Sequence, residues 1–373
     1  MFWLEILAFG SAAWLAFAYV GYPLALYALS RIRPAPVQRA DIAPPLSIII
    51  AVHNGEATLG RKLEDTLALS YPASAEVIVA SDGSTDGTDA IAESFAARGV
   101  ELVRNAERGG KEAAQAAAIE KASGEILLFT DVTAELAPDA LTSIVRAFAD
   151  PTVGAVSSED QVDTEGGESA YVRFEMALRQ LESETITLIG LSGSCFAVRR
   201  ELCHPWPHDL ASDFRIGLET TRRGMRAVSE PAARVRFTAT QDPAAEWSRK
   251  VRTVQRGIAV LSHYRDLLHP RYGRAAFSLW GHKLARFTAP FALIGLFVAA
   301  ALGTRANLWM AGLFVLQLAA YAMGGLALLQ PEQTRFRLAR LAGFFMLVNA
   351  SMLVAWARYL SGRRAVTWQP TRR

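Results

Sequence analysis

The chain has 373 residues and a formal charge of only +3, with 39 Lys and Arg against 36 Asp and Glu, and no basic block of the kind that grips nucleic acid. Apolar residues make up 51% and mean hydropathy is +0.17, which excludes a disordered chain and is high for a purely soluble one. Its two cysteines, Cys195 and Cys203, match no metal spacing and are too few for a disulfide framework, so they are expected as packing residues.

Residues 6–30 carry no charge and are long enough to cross a bilayer as a helix. Met1 to Glu5 lack the positive start of a signal peptide, so 1–33 is predicted to be a retained anchor. Arg31 and Arg33 follow it, which places the next region on the cytoplasmic side by the positive-inside bias. A Pro- and Arg-containing linker closes at Pro44-Pro45.

The middle of the chain alternates apolar runs with amphipathic stretches. Strands are predicted over 46–51, 76–81, 101–104, 126–130 and 153–157, and helices over 57–69, 89–98, 111–122 and 138–149. Such alternation predicts an α/β, doubly wound and mostly parallel sheet, whose ligands sit beyond the carboxyl ends of the strands. His53, Asn54 and Glu56 follow the first strand, Asp82 the second, and Asp131 the fourth. Neither G-x-G-x-x-G nor G-x-x-x-x-G-K-[ST] is present, which excludes the usual dinucleotide and P-loop chemistries.

Several stretches then stand in a recognisable order: Ser47–Asn54, the Ser81-Asp82-Gly83-Ser84-Thr85-Asp86-Gly87-Thr88 turn, Gly110-Lys111, Gly124–Asp131, Gly193–Arg200 and Ser212-Asp213-Phe214. From Leu46 to about Leu261 the chain resembles the membrane-bound family 2 glycosyltransferases, the group of the cellulose, chitin and hyaluronan synthases. The resemblance implies a GT-A nucleotide-sugar domain and an inverting transfer that uses a divalent metal, Mg²⁺ or Mn²⁺. It implies nucleotide-sugar contacts from Ala51, His53, Glu56, Asp82, Lys111, Asp131 and Arg252, with Asp82 reading the base and Asp131 also touching the metal. It implies Asp213 as the general base and Gly193 and Ser194 as acceptor contacts. Chemically, the diphosphate leaves as an anion and needs a hard cation beside it, while a sugar hydroxyl needs a carboxylate to take its proton. Asp160, in Ser158-Glu159-Asp160, also imitates the family's base motif, but it follows Asp131 too closely, whereas Asp213 matches the family's gap. Bland readings stand beside these: His53 as strand-end packing, Glu56 as a first-turn acid, and Lys111 as a solvated lysine.

Three departures are visible. The family's D-x-D is here Asp131-Val132-Thr133, with a hydroxyl in place of the second acid. The Q-x-x-R-W of processive synthases is replaced by Arg249-Lys250-Val251-Arg252-Thr253, which keeps the arginine but loses the acceptor-stacking tryptophan. The Asn that often follows Gly-Lys is also missing near Gln115-Ala116.

Beyond this region, 168–187 reads as an amphipathic helix that leads into the small-residue loop 190–194. Residues 263–286 read as an interfacial helix at the membrane surface, and uncharged runs come after it at 287–304, 306–330 and 341–357. Three more crossings would leave the Arg-rich tail outside, against the charge bias. The last run, short and holding Asn349, is therefore either a third crossing or a re-entrant or interfacial segment. The predicted organisation is an anchor at 1–33, a cytoplasmic GT-A domain at 44–262, an interfacial helix at 263–286, about three C-terminal membrane helices within 287–361, and a basic tail at 362–373. The expected function is non-processive transfer from a UDP-linked sugar to a lipid-linked or nascent cell-surface polysaccharide acceptor at a bacterial inner membrane. A processive synthase and a nucleotide-sugar-binding pseudoenzyme are the alternatives.

Overall fold

The computed structural model describes residues 1–162, 167–237, 243–330, 334, 336–363 and 365. Arg335 and most of the basic tail, 364 and 366–373, lie outside the described residues. The first helix, α1 (Phe2–Ala16), passes through a wide turn at Phe17–Gly21 into α2 (Tyr22–Ile32). Then come β1 (Leu46–Val52), α3 (Glu56–Leu67), β2 (Ala75–Asp82), α4 (Thr88–Ser94), β3 (Val100–Asn105), α5 (Lys111–Lys121) and β4 (Ile126–Asp131). Next in the chain are β5 (Glu135–Leu136), α6 (Ala140–Val145), β6 (Val153–Val162), α7 (Gly167–Thr185), β7 (Cys195–Arg199), α8 (Ser212–Arg222), β8 (Arg226–Phe237) and α9 (Pro243–His263). The chain ends in α10 (Arg274–Ser278), which runs through a wide turn at Leu279–Leu284 into α11 (Ala285–Gly303), then α12 (Leu308–Leu329) and α13 (Arg337–Leu360).

Among the described residues one sheet holds the strands in the order β3-β2-β1-β4-β7-β6-β8-β5. The half built from β3, β2, β1 and β4 is parallel, as the alternating pattern requires. β1 is buried along its whole length, and successive residues feed opposite cores: Ile48 and Ile50 one, Ile49 the other. This is why it reads as an unbroken apolar run. β7 then enters antiparallel to both β4 and β6, so the sheet is mixed. β8, parallel to β6, was not legible in the sequence, because Pro231 and its charged outward positions argue against a strand. Pro231 is accommodated where the register slips, between the pairs Ser157–Ser229 and Glu159–Arg234.

The register carries the site. Ala51 of β1 lies opposite Asp131 of β4, and Val52 opposite Ser81 of β2, so the polar residues beyond them all emerge at one edge.

Among the described residues four helical stretches are long and apolar enough to cross a membrane: Phe2–Ile32, Arg274–Gly303, Leu308–Leu329 and Arg337–Leu360. The region read as interfacial, 263–286, is built from the end of α9, two short turns, α10 and the first residues of α11, and it runs without a break into the rest of α11. α1 runs antiparallel to α11: Asn307 reaches Glu5 (2.7 Å) and Trp14 donates to Thr288 Oγ1 (3.0 Å). α12 folds back along α11, with Phe314 beside Phe297 at 5.2 Å between ring centroids.

The fourth helix lies differently. Phe345 of α13 meets Tyr19 at 5.4 Å, while Trp356, eleven residues on, donates to Phe287 O at 2.9 Å. The Trp14–Thr288 contact places Tyr19 and Phe287 near one level of the α1–α11 pair. Eleven helical residues span about 16 Å. Against α12, by contrast, α13 packs closely along its first half, where Gly324 meets Ala342 and Met346 and Gly343 meets Ala327 and Leu328, and its second half continues onto α9.

Candidate active site

The turn after β2 is held to the turn after β1 by a dense set of hydrogen bonds. Asn54, left-handed at φ 50°, accepts from Thr85 N at 2.9 Å, Gly55 N donates to Thr88 Oγ1 at 2.8 Å, and Glu56 N donates to Asp86 Oδ2 at 3.2 Å. Glu56 returns the contact by accepting from Gly87 N at 3.0 Å, so its carboxylate staples the two turns. Asp82 is fully buried; its Oδ1 accepts from Gly109 N (2.8 Å) and Gly110 N (3.0 Å), clamping the loop ahead of α5. Gly83 permits that clamp: its φ is +59°, and a Cβ there would stand 2.8 Å from Arg108 N. His53 Nδ1 lies 2.8 Å from Asp82 O, and because a carbonyl only accepts, that nitrogen carries the hydrogen.

The clamped loop delivers Lys111 to the end of β4. Its ammonium lies 2.6 Å from Asp131 Oδ1 and 3.1 Å from Gly193 O. Burial pulls the Lys111 ammonium down, but the carboxylates of Asp131, Glu112 and Asp213 outweigh it and hold it above its ordinary value. Asp131 N in turn donates to Ser194 O at 3.0 Å, and Leu191 N donates to Asp213 O at 3.2 Å. Asp213 opens α8 and accepts from Phe214 N through Oδ1 (2.8 Å), while its Oδ2 faces Gly193, where a Cβ would stand only 3.0 Å away. Lys111, Asp131, Gly193, Ser194 and Asp213 thus converge at one point. Ala51, His53, Glu56 and Asp82 form the adjoining framework at the ends of β1 and β2.

Asp160 has a different employment. Its Oδ1 accepts from Ser192 Oγ (2.6 Å) and Ser194 Oγ (2.7 Å), so it fixes the loop that carries Gly193. Arg252 stands on α9, half-buried and without a hydrogen bond or ion pair among the described residues. Burial, then the nearby Arg256 and Arg249 guanidiniums, press its pKa below the usual arginine value. One turn on, Arg256 pairs with the buried Glu112, next to Lys111, and so locks the face of α9 that carries Arg252 toward the site.

Two contributors are not legible in the sequence. Arg256–Glu112 links residues far apart in the chain. Lys62 of α3, almost fully buried, donates to Ala134 O (2.6 Å) and Thr130 Oγ1 (3.2 Å), shaping the turn after Asp131 from below. A lysine on an amphipathic helix reads as solvated, and only the sheet above shows otherwise.

A metal would find little protein here. Among the described residues no group of three His, Cys, Asp or Glu side chains is placed to hold one. Glu135 is engaged by Arg61 at 3.0 Å. Asp131 does keep Oδ2 without a hydrogen bond, so the donor set fits a hard cation shared with a diphosphate and waters, not one held by protein alone.

Residues 47–205 match the family model described as glycosyl transferase family 2. The β-monoglucosyldiacylglycerol synthase of Synechocystis sp. is 29% identical over 167 residues, 41% of this chain and 35% of that protein. The hyaluronan synthase of Streptococcus pyogenes is 29% identical over 176 residues, 43% of this chain and 42% of that one. The aligned regions thus span well under half the length of these curated relatives. A solved mannosyltransferase from Pyrobaculum calidifontis, in complex with GDP-Man and Mn²⁺, superposes with a TM-score of 0.73 at 25% identity, over 97% of this chain and 100% of that one. With the sheet and the clamped Asp82 turn already described, residues 47–205 of this chain carry a glycosyl transferase family 2 domain of GT-A-like fold, in a chain that also holds apolar helices.

Proposed function

We propose that this protein transfers a sugar, with inversion, from a nucleoside-diphosphate donor to a lipid-linked or nascent polysaccharide acceptor at a membrane, one sugar per encounter. The observation that carries the reading is the meeting of Lys111, Asp131, Gly193 and Asp213 at the end of β4. Asp213 takes the acceptor hydroxyl's proton through Oδ2, since Oδ1 is occupied by the Phe214 amide. Lys111 and Arg252 offset the charge that grows on the departing diphosphate, and Arg252 brings a planar fork suited to phosphate oxygens. Asp131 would hold a divalent cation whose chemistry is to share that charge. The GDP-Man and Mn²⁺ bound by the Pyrobaculum enzyme, and the lipid and polysaccharide products named for the relatives, support this reading. The sequence pointed to UDP, but Asp82 has both its oxygens turned to backbone amides, which favours neither uracil nor guanine.

The test is direct. Purified protein in lipid nanodiscs is given a panel of UDP- and GDP-sugars with Mn²⁺ and a membrane lipid extract, and the product anomer is read by NMR. An α-linked donor should yield a β-linked product. Retention of configuration, or no donor consumed by any combination, defeats the proposal.

A further inference from the structure

Among the described residues, two cations beside the candidate base form no ion pair or hydrogen bond with a carboxylate. Arg179 of α7 donates through Nη2 to Leu191 O at 3.2 Å, while its Nε and Nη1 are buried with no partner. Lys283, in the wide turn between α10 and α11, has no hydrogen bond or ion pair among the described residues. Its ammonium stands 5.3 Å from the Phe214 ring centroid and 3.6 Å from the point a Cβ on Gly190 would take. Both cations border the loop 190–193, the loop that also receives Asp213. Of the carboxylates around them, Glu175 is engaged by His282 and Arg286, Glu182 by His282 and Tyr22, and Asp160 by serine hydroxyls, while Glu159 acts on Arg179 only through space, with no hydrogen bond or ion pair between them. A buried guanidinium with open N–H groups is costly unless its partner arrives from outside the fold.

From this geometry we infer that Lys283 and Arg179 form an acceptor subsite for the phosphate or diphosphate of a lipid-linked saccharide. The inference rests on the transferase reading above and names the acceptor class of the same site. The ligand's chemistry comes from the donors. A guanidinium edge and an ammonium together suit an anion with several oxygens, and bidentate geometry favours phosphate. The donor's own diphosphate is served separately, by Lys111 and Arg252. The side of approach comes from the surroundings: Lys283 lies within a stretch long and apolar enough to cross a membrane, among Phe214, Leu279 and Phe287. An acceptor held there by its phosphate would extend its sugar along the 190–193 loop toward Asp213.

The test uses the full-length protein in phosphatidylcholine nanodiscs, titrated with a polyprenyl diphosphate and followed by thermophoresis. Saturable binding is expected, weakened by about tenfold or more in Lys283→Met and in Arg179→Gln, as for a lost charge-assisted hydrogen bond. Lys283→Arg should recover most of it, which separates lost charge from a damaged fold. Equal competition by phosphatidic acid would mean that the cations hold bulk headgroups, and equal competition by inorganic diphosphate that they hold any free anion. Either result overturns the inference, as does wild-type affinity in both neutral variants. Nucleotide-sugar binding by the same wild-type sample separates the two readings: without it the transferase reading falls, and with it but no lipid binding only this subsite falls.

Discussion

Asp213 and Asp160 compete for one role, and their partners separate them. Asp160 spends Oδ1 on the hydroxyls of Ser158, Ser192 and Ser194 and so holds the loop in place, whereas Asp213 turns Oδ2 toward Gly193 within that loop. Asp213→Asn should therefore cut transfer by about 10²–10⁴-fold while nucleotide binding survives. An inactive Asp160→Asn beside an active Asp213→Asn would reverse the assignment. Asp131→Ala should abolish metal-dependent nucleotide binding, because it removes the carboxylate of β4 itself, whose Oδ2 carries no hydrogen bond; full wild-type transfer in excess EDTA would defeat metal use. Lys62 makes a prediction in pH. Burial pulls its ammonium from 10.5 down to about 8, against the raising influence of Cys195 and Asp131. Between those values the unfolded chain binds the extra proton, so stability should rise with pH. At 1.36 kcal/mol per pH unit the rise is about 3 kcal/mol. Lys62→Met should flatten the melting temperature between pH 8 and 10.5, and an unchanged slope would show that Lys62 is not its source.

α9 carries the prediction on product length. Thr253 falls where the resemblance to processive synthases leads one to expect a tryptophan, and it is exposed while Arg252 and Arg256 beside it are half-buried. An indole stacked on a sugar holds it by area that a threonine methyl cannot match. Each acceptor should then dissociate after one sugar or a few. A chase with excess unlabelled acceptor, with sizing of labelled products, reads this: short products spread over the new acceptor support it, and long chains that ignore the chase refute it. The same helix shows how far the sequence is legible. β1, β2 and β4 announce themselves, because strands buried on both faces leave uninterrupted apolar runs that end on Asn54, Asp82 and Asp131. The Arg256–Glu112 pair, buried Lys62 and the strand β8 do not, since each depends on what packs against it and not on a local period. Asp82 shows the limit in another way. Its place is readable, but its partners, the amides of Gly109 and Gly110, depend on how the next loop folds over Gly83.

At the scale of the whole molecule, the charge of the C-terminal end and the course of α13 bear on one question. Three crossings after the catalytic region would carry Arg358 and Arg363 to the side opposite it, against the usual bias of basic residues. The contacts of α13 give a different course. In its first half Gly343 packs on the end of α12 and Phe345 meets Tyr19; near its end Ala355 packs with Val251 and Ile258 of α9, and beyond it Arg363 O accepts from Gln255 at 2.6 Å. Both ends therefore touch elements on the catalytic side, and a helix lying along the membrane surface satisfies its apolar face and its arginines together. Cysteine labelling from one side of sealed vesicles distinguishes the two courses. The native thiols interfere little, since burial pushes both Cys195 and Cys203 up to about 12. Glu93→Cys marks the catalytic side, and Arg305→Cys marks the far side, in the turn where Asn307 meets Glu5. Ser361→Cys should label with Glu93→Cys and stay protected when Arg305→Cys reacts; labelling together with Arg305→Cys would make α13 a true crossing.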